Sequence, residues 1–151
     1  MSAPATPPGL PFDPRARISY RHFTPVSIRY ADLDPVGHVN NIAFNTYIEM
    51  GRVSLMASLV ERFGAPDMDT VVVRVAVDYL AELGFPGTVE AGARIARLGR
   101  TSLTVMTPVF VGDTCHALGE CVIVLFDRKL RRAVPATPAL RAELERRLAE
   151  G

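Results

Sequence analysis

The stretch "DLDPVGHVNNIAFNTYIEMGRVSLMASLVERF", residues 32–63, decides the fold. Its first ten residues hold two aspartates, a histidine, a proline, a glycine and two asparagines. These are turn and capping residues, and some of them are also acid/base residues. Beyond them, Phe44, Ile48, Gly51, Leu55 and Leu59 recur at spacings of four, three, four and four, which makes one face of an α-helix. Asn40 or Asn41 is the cap, and "GAP" at 64–66 ends the helix. From Asn41 to Phe63 it would run roughly 34 Å at about 1.5 Å per residue. Gly51 costs such a helix about 1 kcal/mol against alanine, which predicts the close approach of another backbone.

Upstream, residues 21–31 alternate, with Val26, Ile28 and Tyr30 on one face and Ser27 and Arg29 on the other. That is a half-buried strand. Downstream, the period switches to two and stays there. "TVVVRVAVDYL", "TVEAGARIARL", "SLTVMTPVFV" and "CHALGECVIVLF" read as four long strands joined by turn sequences. Their order predicts an antiparallel meander, with the small residues Ala91, Gly92 and Ala93 suited to tight curvature. "TPALRAELERRLAE" reads as a closing helix capped by Thr137, with Pro138 at its first position and Glu143 paired to Arg147. The expected class is α+β, a curved antiparallel five-stranded sheet wrapped around a long central helix, which is the hotdog architecture. In that architecture the first strand is expected inside the sheet rather than at the end of the meander.

Composition narrows the function. The chain has 151 residues, 48% hydrophobic and 22% charged, which suits one globular domain. A net charge of +1 offers no general attraction for nucleic acid or an anionic membrane. There is no apolar run near the roughly 20 residues of a spanning helix, and no signal-like start, so the expected location is the cytoplasm. Residues 1–17, rich in proline and alanine, read as a flexible arm, and 18–151 as a single domain. Cys115 and Cys121, on one strand, stand roughly 20 Å apart at about 3.3 Å per residue, too far for a disulfide. They also lack the spacing of a zinc site, and no metal is expected.

"VSIRYADLDPVGHVNNIAFNTYIEMGR" resembles the signature of the hotdog acyl-CoA thioesterases of the 4-hydroxybenzoyl-CoA thioesterase type. Tyr30, Asp32, Asp34, Gly37, His38, Val39, Asn40, Asn41, Tyr47, Glu49 and Arg52 fit it, and looser likeness extends over about residues 21–145. Phe44 stands where an aromatic residue, more often tyrosine, is found. The resemblance implies hydrolysis of an acyl-CoA thioester without metal or organic cofactor, coenzyme A being part of the substrate. It also implies a homodimer or tetramer whose protomers join sheets edge to edge, with the sites at that interface. The second aspartate of the motif, Asp34, is then the catalytic carboxylate, and Asn41 supplies the oxyanion amide.

The chemistry suits those residue types. Thioester hydrolysis needs a carboxylate to attack the carbonyl or to activate water, and a donor for the oxyanion. A helix N-terminus has unpaired amides and roughly half a positive charge. Asp34 lies just before one. His38 is expected to orient Asp34 or to serve the leaving thiolate. Asp32 is expected to cap or to pair with an arginine. Glu49 and Arg52 are expected to form an ion pair, Glu49 being the reserve catalyst. A second expected site is "ARLGRTS", where Arg97, Gly99, Arg100 and Ser102 suit the phosphates of coenzyme A and equally suit an exposed basic hairpin. The basic run "DRKLRR" could serve the same nucleotide and reads more readily as a solvated strand end. Phe44, Tyr47, Ile48 and the strand valines suggest an acyl tunnel and are equally ordinary core. Two other functions compete: a hotdog acyl-thioester hydratase or dehydratase, and a non-catalytic acyl-CoA binding module. The "GHVNN" spacing argues against the first and Asp34 against the second.

Overall fold

The computed structural model describes residues 9–151. Helix α1 spans Asn41–Phe63, the bounds expected from sequence. Asn40 caps it by accepting the Ala43 amide at 2.8 Å, and the Gly64 amide closes its other end on the Val60 carbonyl. Strand β1 (His22–Ser27) precedes α1. Strands β2 (Met68–Tyr79), β3 (Thr88–Leu98), β4 (Ser102–Val111) and β5 (Thr114–Asp127) follow it. A two-residue strand β6 (Arg132–Ala133) and helix α2 (Pro138–Glu150) complete the chain.

The strands form one antiparallel sheet in the order β1-β3-β4-β5-β2, with β6 on β5. Two sequence expectations change here. Among the described residues β1 pairs only with β3 and is an edge strand, not an interior one. The meander holds for β3, β4 and β5, but β2 lies beside β5 at the opposite edge. Residues 80–87 are long enough to carry the chain from β2 across the end of the sheet to β3, so adjacency in sequence does not impose adjacency in space. The sheet also gains β6, because "DRKLRR" turns back on itself. Asp127 Oδ1 accepts the amides of Lys129 and Leu130, and Arg131 takes a φ of 55°. The strand expected through residue 31 ends at Ser27, and residues 30–32 form a 3-10 turn that leaves Tyr30 exposed.

The helix lies against the sheet because both surfaces are small where they meet. A side chain at Gly51 would place its Cβ 3.0 Å from Ala91 Cβ and 3.0 Å from the Gly92 carbonyl oxygen. One core cluster joins Leu55, Met56 and Leu59 of α1 to Ile95, Leu103, Ile123 and Leu125, with Leu140 and Leu144 of α2 closing it. A second joins Phe44, Tyr47 and Ile48 to Val89, Val109 and Ala117 near the helix start. Thr137 caps α2 on the Leu140 amide, and Arg147 meets Glu143 at 2.8 Å, both as expected.

A third cluster, Tyr20, Met106, Phe110 and Leu118, lies apart from the two that hold α1. Leu10 and Phe12 pack on it, and the Arg94 guanidinium sits 3.7 Å from the Phe12 ring centroid. Residues 9–17 are therefore docked rather than loose, while residues 1–8 of the expected arm lie outside the described residues. Both cysteines are free; burial pushes the Cys115 thiol up to about 11.

Gly51→Val tests the close helix–sheet contact. Its added atoms meet backbone rather than a flexible side chain, so stability in urea should fall by about 1–3 kcal/mol. A variant as stable as the parent would contradict the packing described.

Candidate active site

The loop of residues 33–39 is a small closed hairpin. Leu33 and Val39 bridge its ends. The Asp34 amide donates to the His38 carbonyl at 2.8 Å, and the Gly37 amide donates to the Asp34 carbonyl at 3.0 Å. Gly37 takes a φ of 86°, the left-handed region where glycine costs least. The Val39 amide ties the loop to the Leu83 carbonyl at 2.8 Å.

Asp34 holds this loop with one carboxylate oxygen. Its Oδ1 accepts the amides of Val36 at 2.9 Å and His38 at 3.1 Å. Among the described residues no protein donor meets Oδ2. One oxygen thus fixes the carboxylate's direction and the other is left without a protein donor among the described residues. Asp34 is partly exposed.

Seven residues further on, α1 begins. Its cap takes the Ala43 amide, and the Phe44 amide bonds the Asn40 carbonyl at 3.2 Å. The amides of Asn41 and Ile42 are left as the uncommitted donors of the first turn. Both residues are exposed, Ile42 to 80%. The Asn41 carbonyl is held from behind by Asn45 Nδ2 at 2.8 Å, and Asn45 in turn reaches the Tyr79 hydroxyl at 3.1 Å.

His38 meets Asp34 through its main chain. Its imidazole points elsewhere, with Nε2 3.4 Å from Glu82 Oε2. Glu82 was not singled out from sequence, because nothing in a connecting loop marks which side chain will face a histidine. Asp32, as expected, pairs with an arginine. It is only 2% exposed, and Arg29 gives it Nε at 3.0 Å, Nη2 at 2.7 Å and its amide at 2.8 Å. The Tyr47 hydroxyl adds a bond at 2.7 Å. Burial alone would raise the Asp32 carboxyl, but the donors from Arg29 and Tyr47 outweigh it and hold the group below the ordinary carboxylate range. Tyr47, read from sequence as core or tunnel lining, is core with its hydroxyl committed to Asp32.

Glu49 and Arg52 form the expected pair at 3.3 Å. The Arg52 side chain is only 8% exposed, while Glu49 faces solvent. A cavity of about 290 Å³ runs beside α1 from Ile42 and Asn45 to this pair, with Val72, Val75 and Cys121 opposite. Among the described residues no three His, Cys, Asp or Glu side chains converge as metal ligands.

The second expected site lies elsewhere in the chain. Arg97, Gly99, Arg100 and Ser102 sit at the β3–β4 turn, where the Gly99 amide bonds the Ser102 carbonyl at 2.7 Å. The Gly99 carbonyl is taken by Arg141 of α2. The Asp34 loop lies at the other end of β3, since Ser27 pairs with Thr88 and the Ile28 amide bonds the Gly87 carbonyl. The length of β3 separates the two, roughly 33 Å at about 3.3 Å per residue. One chain does not bring them together.

The model of the thioesterase-like superfamily matches residues 28–144. A Bacillus subtilis (strain 168) protein, YsmA, is 27% identical over 123 residues, covering 80% of this chain and 83% of its own. The crystal structure of the PA5185 protein from Pseudomonas aeruginosa strain PAO1 superposes with a TM-score of 0.75 at 32% identity, covering 87% of this chain and 94% of its own. A thioesterase from Thermus thermophilus, crystallised with coenzyme A and Zn, gives 0.70 at 32% identity, over 83% and 98% of the two chains. No helix is long and apolar enough to cross a membrane among the described residues.

Asn40→Ala tests the helix start. It removes the cap on Ala43 and the bond from Asn40 Nδ2 to the Asp32 carbonyl. Stability should fall by about 1–2 kcal/mol, with faster hydrogen exchange at the Ala43 amide. Unchanged exchange there would show that the cap does not hold the first turn.

Proposed function

The chain belongs to the thioesterase-like superfamily, and on that premise we propose that it hydrolyses acyl-CoA thioesters to free acid and coenzyme A. What supports this reading is the order of Asp34 and the start of α1 along the chain, joined by a loop clasped to the helix cap. A carboxylate held through one oxygen lies seven residues ahead of a first helical turn with two uncommitted amides. The Asn41 and Ile42 amides receive the oxyanion as the thioester carbonyl is attacked. Asp34 acts as nucleophile, giving an acyl anhydride that water then opens, or as general base on the attacking water. Either route consumes one water and releases the acid and the thiol. His38, paired with Glu82, serves the leaving thiolate. The chemistry uses no metal or organic cofactor and takes place in the cytoplasm. The cavity beside α1 takes the acyl group.

The working unit is a homodimer, or a tetramer built from it. β2 pairs on one side only and exposes Val71, Val73 and Val75, and such an edge is usually covered. Antiparallel pairing of two β2 strands sets the Met68 end of one copy beside the Tyr79 end of the other. In each chain the Met68 end is also the end of the β3–β4 turn. The dimer would therefore bring that turn, with Arg97, Gly99, Arg100 and Ser102, to the same end as the other copy's Asp34, where it can meet coenzyme A phosphates. The Thermus thermophilus thioesterase, crystallised with coenzyme A, supports this choice of carrier.

Free thiol release from a panel of acyl-CoAs, followed with a thiol dye, tests the activity. Asp34→Asn keeps an oxygen for the Val36 and His38 amides but loses the charge. Turnover should fall by roughly three orders of magnitude or more, with substrate binding little changed. Activity within a few-fold of the parent would assign Asp34 to the turn alone; a dead Glu49→Gln beside an active Asp34→Asn would move the catalyst to the helix. Sedimentation should give a dimer or larger, and a fully active 16.5 kDa monomer would overturn the two-chain site.

A further inference from the structure

We propose that Tyr47, Asp32 and Arg29 are positioning residues that set the gap between the Asp34 loop and the first turn of α1. The inference rests on the thioesterase reading, and its basis is the closed path of bonds around the loop. Asp32 precedes the loop and Asn40 follows it. The Asp32 carbonyl accepts both the Asn40 amide at 2.8 Å and Asn40 Nδ2 at 2.7 Å. Asn40 is in turn the cap of α1. The base of the Asp34 loop and the start of the helix are thus clasped at one carbonyl oxygen.

That carbonyl belongs to a residue whose own place is fixed from two directions. Tyr47 holds the Asp32 carboxylate from within α1, nearly two turns beyond the cap. Arg29 holds it from the strand side with three donors. The triangle of Tyr47, Asp32 and Asn40 has two corners on the helix and one at the loop base. The loop cannot shift along the helix axis without breaking one of its sides. Asp34 is two residues from Asp32, and Asn41 is one residue from Asn40. The reacting carboxylate and the oxyanion amides are therefore each tied closely to the same clasp.

None of the three residues touches the loop's reacting oxygen, so their effect on rate must pass through placement. Misplacement by about 1 Å from a change remote from the chemistry can cost up to roughly a hundredfold in rate. A residue needed only for folding would lower stability and the amount of active protein, without altering turnover per folded molecule.

Tyr47→Phe deletes one oxygen atom from a buried ring. Arg29→Met works from the surface, since the Arg29 side chain is 67% exposed, and it leaves the Arg29 amide and the Tyr47 hydroxyl on the Asp32 carboxylate. For each, per folded molecule, kcat for acyl-CoA hydrolysis should fall by about tenfold or more while KM stays within about twofold. The pH profile gives a second readout. Arg29 from the turn and Tyr47 from the helix are the groups that hold the Asp32 carboxyl down against burial. With either removed, burial gains weight and the carboxyl takes a proton at higher pH, losing its acceptor role. The acid limb of kcat should move to higher pH than in the parent. Folded variants with parental kcat and an unmoved acid limb would overturn the inference and leave the thioesterase reading standing. A parent chain that releases no thiol from any acyl-CoA would overturn that reading and the inference with it.

Discussion

A buried carboxylate must be met by donors, and in this chain that requirement at Asp32 organises the end of the molecule where chemistry is possible. An isolated ionised carboxylate is too costly to bury. Asp32 accepts four bonds from Arg29 and Tyr47, and to reach them the chain leaves the strand conformation after Ser27 and curls into a 3-10 turn. The curl delivers the Asp32 carbonyl to Asn40, and Asn40 to the first turn of the helix. Strand end, loop and helix start are thereby tied together at one residue. The loop between them then needs few further ties to hold Asp34 in a single orientation.

The second constraint is the closeness of helix and sheet. Gly51 against Ala91 and Gly92 lets α1 lie on β3 at backbone contact, so the large residues on either side fill two separate clusters rather than propping the helix away. The cluster near the helix start includes Phe44, Tyr47 and Ile48, so the first turns are anchored from beneath while Asn41 and Ile42 remain open above. This split explains how the same helix can be rigidly packed and still present free amides. It also explains why Tyr47 can serve Asp32: its ring is held in the core, and only its hydroxyl is left to bond.

Much of this was legible in the residues. Helix α1 could be bounded because its signals are local: an asparagine cap, a 3.6-residue stripe, and a Gly-Ala-Pro stop. The strands were legible for the same reason, through their period of two. Strand order was not, because alternation identifies a face and says nothing of a neighbour; β2 beside β5 and β1 at the edge are products of chain crossing. Tyr30 continued the alternation on paper and left it in space, since the pull of the Asp32 carboxylate is not a periodic signal. Leu10 and Phe12 were passed over because two apolar residues among prolines make no pattern, though they suffice to cover an aromatic cluster. At the site, Asp34 and Asn41 stood out through their motif, whereas the Tyr47–Asp32 bond joins residues fifteen apart across an unpredicted turn.

The unfinished features of the single chain fall on one side. β2 has an unpaired edge that exposes three valines, and its neighbour across the groove is the face of α1 carrying Ile42, Glu49, Arg52 and Val53. On that face Arg52 is buried, meets Glu49 at 3.3 Å and lies beside the Cys121 thiol, and its Nε has no partner among the described residues. A buried guanidinium nitrogen without a partner is costly, as is an apolar edge strand left in water. In the proposed dimer a second chain along β2 would cover the valines and pair the open edge. The Asp34 loop and the uncommitted amides of α1 stand at one end of that surface, and the β3–β4 turn stands at the other. In the proposed dimer a two-fold contact would exchange the ends, so the distance that separates the two groups within one chain would let them meet between two.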